Sequence, residues 1–165
     1  MKISATFDYA ATPQEVFAML ADEEFQARKC AATGALRHSV SVSSQGERTV
    51  IVSHRDLPTQ DFPDFVRSLV GATLAVVETQ DWGPPDPDGA RQGRLTVDIV
   101  GAPIDLVGTL VLAPDGRGSV ESIEGDLKAR IPLIGAKIEQ AAAPAIESAI
   151  RVEKETGQAW LGAGG

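Results

Sequence analysis

The period of the hydrophobic pattern changes once along this chain, near Pro132. Before Pro132, apolar and polar side chains alternate with a period of two in several segments, which is typical of strands with one buried face. After it, apolar side chains recur with a period of 3.6 as far as Trp160, which indicates one long amphipathic helix. Such a chain must bury one face of a mostly antiparallel sheet against a single C-terminal helix.

The first 34 residues predict a strand followed by two short helices. Residues 2–9 alternate and predict the strand. Thr12-Pro13-Gln14-Glu15 combines an N-cap threonine, a proline at the first helical position and a glutamate at the third, which is typical of a helix start. Asp22 predicts the cap of a second short helix that ends before Gly34.

Six more strands and a short helical piece over residues 64–70 fill the middle of the chain. The strands are predicted over residues 36–42, 49–55, 73–82, 94–100, 104–112 and 119–131. The long helix follows, with Pro144 inside it, where a bend is expected. This order predicts an α+β fold with a single domain over residues 1–161 and a flexible tail over residues 162–165.

Two histidines lie on otherwise apolar faces of a predicted hairpin, His38 on its first strand and His54 on its second. If the two apolar faces pair, these residues become neighbours with Cβ atoms about 5 Å apart, which requires a loop longer than Gln45-Gly46. Such a pair could orient a polar ligand or act as a general base. Alternatively, both histidines lie exposed near the strand ends and are inert.

The fourth predicted strand carries a polar residue on a potentially buried face. Glu78, Gln80 and Trp82 share their face with Leu74 and Val76. If that face turns inward, Glu78 becomes a desolvated carboxylate with a raised pKa, which could serve as an acid. The opposite face is also apolar, and its inward orientation would leave Glu78 in solvent. Both orientations are consistent with the pattern.

Composition excludes several classes of protein. The net charge of −8 and pI of about 4.7 argue against a nucleic-acid binder and against charge-driven docking on anionic lipid. One cysteine, Cys30, and two histidines exclude a disulfide framework and leave little for a metal centre, so neither a metal nor a cofactor is expected. No signal peptide and no apolar run of about 18 residues is found, so we expect a cytoplasmic protein without integral membrane contact.

Several short motifs, taken in order, resemble those of the START-like superfamily, also called the polyketide cyclase/dehydrase and lipid-transport (SRPBCC) superfamily. They also resemble a bacterial family of unknown function within it. The motifs are Arg55-Asp56-Leu57-Pro58, Pro63-Asp64-Phe65-Val66, Val70-Gly71, Trp82-Gly83, Gly101-Ala102-Pro103, Ile131-Pro132-Leu133-Ile134-Gly135 and Trp160-Leu161. The resemblance implies a helix-grip fold, in which a curved sheet of about seven antiparallel strands wraps around the C-terminal helix.

The resemblance also implies a cavity between sheet and helix, where members of the superfamily bind lipids, sterols, polyketides or hormones. A few members catalyse cyclisation or hydration, but none of their catalytic motifs matches this chain. We therefore expect a protein that binds a small hydrophobic or amphipathic ligand, such as a lipid or a polyketide-like compound, in preference to an enzyme. The predicted ligand-binding residues are Phe7, His38, Val40, Val52, His54, Glu78, Val97, Leu106, Leu110, Ile123, Leu127, Ile138, Ala142, Ala145 and Ala149.

Two alternative functions stay open at this point. The first is a cyclase or hydratase that uses a cavity histidine or glutamate as acid or base. The second is a protein-interaction module with a packed core. The ligand, the presence of any reaction and the oligomeric state do not follow from the residues.

Overall fold

The computed structural model describes residues 1–163, and Gly164 and Gly165 of the predicted tail lie outside them. The order of elements is the predicted one, and Gly162 is the last residue of the long helix rather than part of a tail. The elements are β1 (Lys2–Tyr9), α1 (Pro13–Leu20), α2 (Glu23–Ala32), β2 (Arg37–Gln45), β3 (Arg48–Pro58), α3 (Asp64–Val70), β4 (Thr73–Trp82), β5 (Arg91–Ile99), β6 (Ile104–Asp115), β7 (Gly118–Ala129) and α4 (Gly135–Gly162).

The starts of α1 and α2 confirm the predicted caps. Thr12 Oγ1 accepts a hydrogen bond from the Glu15 amide at 3.2 Å, and Glu15 Oε2 accepts one from the Thr12 amide at 3.0 Å. Asp22 Oδ1 accepts from the Glu24 amide at 2.8 Å. These bonds satisfy amide groups that the first turn of a helix leaves without partners. They fix where both helices begin.

The seven strands form one antiparallel sheet in the order β1-β7-β6-β5-β4-β3-β2. The sheet curves, and α4 lies along its inner face, with its main contacts on β7, β1, α1 and α2. The fold is thus the α+β helix-grip arrangement expected from the sequence. Because α4 packs mainly at the β1–β7 side, it covers the inner faces of β2–β5 less completely.

Two glycines face each other where β6 and β7 pair, Gly108 and Gly125. A Cβ atom on Gly108 would stand 2.8 Å from the Gly125 Cα and would clash with the Glu124 carbonyl oxygen. Close approach of two strand backbones is a common reason for glycine inside a sheet. The curvature of the sheet at this point therefore requires the absence of a side chain.

We expect Gly108→Ala to lower the free energy of unfolding by about 1–3 kcal/mol, because the added methyl group forces two backbones apart. Urea denaturation measures this. Gly162→Ala is the matched control, since a Cβ there would meet nothing within 4 Å. The control should change stability by less than about 0.5 kcal/mol. Equal stability of the Gly108 variant and the wild type would contradict this account of the curvature.

The hairpin between β2 and β3 closes with a two-residue turn, Gly46 and Glu47, between the paired residues Gln45 and Arg48. Gly46 has φ of 65°, in the left-handed region that such turns require and that glycine adopts without strain. The longer loop expected from the sequence is therefore wrong. The pairing register is shifted by one residue, which reverses the face of every side chain on β3.

In this register His38 pairs with Arg55 on the neighbouring strand, and His54 pairs with Ser39. The predicted His38–His54 pair is therefore wrong, because the two side chains lie on opposite faces of the sheet. The physical reason lies in β3, which turns Ser53 and Arg55 inward and leaves Val52 on the outer face. The alternating apolar residues that the sequence shows in this strand therefore lie on the outer face of the sheet.

Helix α4 runs for 28 residues through Pro144 without interruption. Its core-facing stripe includes two positions that carry no apolar side chain, Glu153 and Gly157. The apolar stripe predicted for this helix included Ala145 beside Ile138, Ala142 and Ala149, but Ala145 is exposed, so that part of the prediction is wrong. The side chains that face the core are Ile138, Ala142, Ile146, Ile150, Glu153 and Trp160.

Candidate functional site

Polar side chains from six elements of the fold meet in the interior. They include every buried charged residue of the described chain, and none of these residues is more than 9% exposed. We call this group the interior polar cluster, and its members are Tyr9 (β1), Lys29 (α2), Arg55 (β3), Glu78 and Gln80 (β4), Glu121 (β7) and Glu153 (α4). Buried charge is costly unless paired, so such a concentration requires a specific reason.

Glu78 lies at the centre of the cluster. Its Oε1 accepts hydrogen bonds from Lys29 Nζ at 3.0 Å and Gln80 Nε2 at 2.9 Å, and its Oε2 accepts one from Arg55 Nη2 at 3.0 Å. Gln80 is held in turn by Trp82, whose Nε1 donates to its Oε1 at 3.0 Å. The Glu78 face of β4 therefore turns inward, which the sequence pattern left open.

The ionisation state of Glu78 differs from the expected one. Burial alone would raise the pKa of this carboxyl, but the neighbouring Lys29 and Arg55 lower it to about 2. The expectation of a raised pKa at an inward Glu78 is therefore wrong, because two cations contact the side chain. Glu78 is a carboxylate at neutral pH, and it holds no proton that it could donate there.

Lys29 connects the sheet to α4. Besides Glu78, its ammonium lies 3.6 Å from Glu153 Oε2. Burial favours loss of the proton, but the Glu153 and Glu78 carboxylates outweigh it and raise the pKa of Lys29. Lys29 is therefore a stable cation in the interior, located between a strand and the C-terminal helix.

Glu121 has no hydrogen-bond partner for either carboxyl oxygen among the described residues, although the side chain is 0% exposed. Glu153 Oε1 and the Tyr9 hydroxyl lack partners as well. Burial, together with the charge of Glu153, raises the pKa of Glu121 well above its usual range. The cluster thus has a paired part around Glu78 and an unpartnered part around Glu121.

Half-buried apolar side chains lie near the cluster, on the inner faces of β2 and β5 and on the middle of α4. We call this group the apolar seam, and its members are Val40, Val42, Val97, Ile99, Ala142, Ile146 and Ile150. Val97 lies opposite Glu78 in the β4–β5 ladder, and Val40 lies opposite Ser53, so the seam and the cluster are adjacent on the inner face. Together they form an apolar surface with a polar end, which is typical of small-molecule sites.

The middle of α4 forms one side of the apolar seam and is held less firmly than the ends. No residue from 139 to 152 is fully buried, whereas Ile138 before this segment is 2% exposed. Beyond it, Gly157 packs on the Tyr9 ring, and the Trp160 ring lies 5.6 Å from that of Phe25. Pro144 also removes one backbone donor from the middle of the helix.

The structure brings most of the predicted ligand-binding residues to the inner face or its helix. Those with buried or half-buried side chains there are Phe7, Val40, Glu78, Val97, Leu106, Leu110, Ile123, Leu127, Ile138, Ala142 and Ala149. His38 shares the inner face but is exposed. Val52 and His54 lie on the outer face because of the hairpin register, and Ala145 is exposed on α4, so these three do not line the interior.

Sequence reasoning missed Lys29, Arg55, Glu121 and Glu153 as interior residues. Each of them lies on the same face of its helix or strand as residues that are buried. Lys29 lies four residues after buried Phe25 on α2, and Glu121 shares its face of β7 with Ile123. A charged residue on an apolar stripe is the available signal, and in this chain it occurs on four elements.

Other features of the surface do not enter the interior. One depression lies on the outer face of the sheet beside Lys2, Arg94 and Glu124, and a second lies beside Thr59 and Arg67. Within residues 1–163, no three His, Cys, Asp or Glu side chains converge in a way that could hold a metal ion. In the same part of the chain, no helix has the length and apolar character needed to cross a membrane.

Solved structures share this architecture. Protein TTHA0849 of Thermus thermophilus superposes with a TM-score of 0.60 at 17% identity, covering 96% of this chain and 98% of that one. A START superfamily protein of Mycobacterium smegmatis gives 0.55 at 12% identity, with 93% and 94% covered. The Zhui aromatase/cyclase of a Streptomyces species gives 0.53 at 12% identity, with 95% and 93% covered. This chain therefore shares its fold with these proteins, one of which is described as a START superfamily protein.

Residues 4–161 match the family described as "Protein of unknown function (DUF2505)", and the chain belongs to that family. Uncharacterised proteins of Mycobacterium bovis and Mycobacterium tuberculosis are 27% identical over 113 residues, which is 67% of this chain. The match spans 64% of the length of those relatives, somewhat less than two thirds. The resemblance found in the sequence motifs is thus confirmed at the level of fold and family.

Proposed function

We propose that this protein binds a small hydrophobic or amphipathic molecule between the inner face of the sheet and α4. The apolar part of the ligand lies along the apolar seam, and its polar end reaches the interior polar cluster. The observation that carries the proposal is Glu121, a fully buried carboxyl with no partner at the end of an apolar surface. Two of the proteins with this fold are described as an aromatase/cyclase and a STAR-related lipid transfer protein, which supports a ligand of this kind.

Energetics favour a bound molecule over a sealed core. A buried polar group without a hydrogen bond costs about 1–3 kcal/mol, and Glu121, Glu153 and Tyr9 all carry such groups. Covering about 200 Å² of apolar ligand surface contributes about 5 kcal/mol before the costs of association. A molecule that does both stabilises the protein as well as binding to it.

Access to the interior is expected through the middle of α4. Residues 139–152 are only partly buried, while both flanking parts of the helix are held by core contacts. Separation of this middle part from the sheet widens the apolar seam without disturbing the ends. Binding therefore needs no unfolding of the domain.

The direct test is native mass spectrometry of the purified protein, followed by solvent extraction of any bound molecule. A reproducible adduct with one molecule per chain is the expected result. The second arm is titration with the neutral fluorescent probe N-phenylnaphthylamine, whose emission rises in apolar surroundings. The absence of an adduct, together with a flat probe titration, would overturn the proposal.

Two alanines of α4 offer a matched pair of variants. Ala142 lies in the apolar seam and Ala145 is exposed. We expect Ala142→Phe to weaken probe binding at least about tenfold, the equivalent of about 1.4 kcal/mol, because the ring occupies the seam. Ala145→Phe should bind as the wild type does. Equal binding by both variants, with folding checked by circular dichroism, would place the ligand elsewhere.

A further inference from the structure

We infer, building on the proposed function, that the polar end of the ligand is a cation, namely a protonated amine on an apolar skeleton. The site for it is the unpartnered part of the interior polar cluster, formed by Glu121 and Glu153. Glu121 as a residue is 0% exposed and Glu153 is 9% exposed, and three of their four carboxyl oxygens have no hydrogen-bond partner among the described residues.

The first argument is the charge of the cluster. It contains two basic side chains, Lys29 and Arg55, and three acidic ones, Glu78, Glu121 and Glu153. Both cations donate to the single carboxylate of Glu78, and Lys29 also approaches Glu153. One carboxyl therefore has no counter-charge. A ligand bearing one positive charge balances the cluster.

The second argument is hydrogen bonding. The unpartnered atoms of Glu121 and Glu153 are acceptors when these groups are ionised. An ammonium group carries three N–H donors and matches the three free oxygens in number. Hydrogen bonds between charged partners are roughly twice as strong as those between neutral ones. The unpartnered oxygens of Glu121 and Glu153 thus favour a donor over an acceptor at this part of the cluster.

An anionic ligand end is disfavoured by the same residues. A carboxylate placed near Glu121 would lie beside two glutamates, neither of which can offer it a counter-charge. Lys29 would have to move away from Glu78 or Glu153 in order to receive it, and breaking a buried ion pair in this way is strongly unfavourable. Arg55 has one donor without a partner, Nε, but its Nη2 is already bound to Glu78.

Binding of the amine is coupled to release of a proton. In the free protein, burial and mutual repulsion favour the neutral form of Glu121, and its pKa is raised. The groups that face this carboxyl are Tyr9, Lys29, Glu78 and Glu153, and the cluster also includes Arg55. When the ammonium enters, Glu121 ionises to pair with it, and the carboxyl proton passes to solvent. The ligand keeps its own proton throughout.

The experiment compares three ligands with one hydrocarbon chain: decylamine, decanol and decanoate. Each displaces N-phenylnaphthylamine from the wild-type protein, from Glu121→Gln and Glu153→Gln together, and from Glu147→Gln as the control. Glu147 is exposed on α4, so this variant removes a negative charge of the same helix without touching the interior. Isothermal titration in two buffers of different ionisation enthalpy measures the proton released by the wild-type protein.

We expect the wild type to bind decylamine at least about tenfold more tightly than decanol, and decanoate most weakly, with proton release on amine binding. The double variant should lose most of this preference, and Glu147→Gln should keep it. Equal affinity for amine and alcohol, or a preference that survives in the double variant, would overturn this inference alone. If the variant fails to fold, the wild-type ranking and its proton release decide the matter. If neither the probe nor any of the three ligands binds, the proposed function fails as well.

Discussion

Replacing Glu78 with glutamine is expected to lower the free energy of unfolding by about 3–5 kcal/mol, the usual cost of removing one partner from a buried ion pair. Glutamine keeps the shape of the side chain but leaves Lys29 and Arg55 without their shared carboxylate. Both cations are more than 90% buried, so water cannot replace it. Guanidinium denaturation of the variant and the wild type measures the difference.

The control lies on the same strand. Asp81 receives a hydrogen bond from Arg48 Nε at 2.8 Å, with 39% of its side chain exposed. Exposed ion pairs contribute about 0–1 kcal/mol, so Asp81→Asn should have a small effect. If the Glu78 variant lost no more stability than the Asp81 variant, the interior polar cluster would not hold the sheet and helices together.

The opposite outcome is expected at Glu121. Glu121→Met should raise the free energy of unfolding at pH 7–8 by about 1–3 kcal/mol, because replacing a buried group that lacks partners with an apolar one of similar volume removes a desolvation cost. Both carboxyl oxygens of Glu121 are unpartnered, so no hydrogen bond is lost. Glu124→Met, on the exposed outer face of the same strand, is the control and should change little.

The pH dependence separates this effect from simple packing. The folded protein keeps the Glu121 proton above pH 4.5, the ordinary pKa of this group, where the unfolded chain releases it. The contribution of Glu121 is therefore complete below pH 4.5 and declines as the pH rises toward its folded value. Urea denaturation from pH 4.5 to pH 8.5 should show a smaller decline in the Met variant. A variant less stable than the wild type throughout this range would contradict the prediction.

Glu78 acts in the other direction. Its pKa is lowered from 4.5 to about 2 in the folded protein, so its contribution is complete above pH 4.5 and is lost as the pH falls toward 2. Glu78 contributes fully above pH 4.5 and Glu121 contributes fully below it. These two carboxyls by themselves therefore place the maximum of the free energy of unfolding near pH 4.5. Two glutamates in one interior thus have opposite linkage because one contacts cations and the other does not.

Local signals were sufficient for most of the fold. The caps at Thr12 and Asp22, the alternation of β1 and the change of period near Pro132 each follow from interactions between residues close in sequence. Such interactions do not depend on the rest of the fold. The order of elements follows from them, with strand ends displaced by up to three residues, whereas the helix-grip class was implied by the resemblance of the motifs to the START-like superfamily.

The residues of the interior polar cluster could not be predicted from such local signals. On β3, Ser53 and Arg55 face inward while Val52 faces out, so the alternation indicates the wrong face. On α4, Glu153 and Gly157 occupy core positions that an apolar pattern passes over. Lys29, Arg55, Glu78 and Glu153 compensate one another only after the chain has folded, since they lie far apart in sequence. Sites where the pattern fails in this way are often functional.

Helix α4 is held at its two ends and only lightly in between. Substitutions among residues 139–152 remove less buried surface than those at Ile138 or Gly157, so they cost less stability. The width of the interior can therefore change from one family member to another without loss of the fold. Under the proposed function, differences in ligand size within the family are expected to concentrate in this segment, whereas the interior polar cluster is constrained by six elements at once.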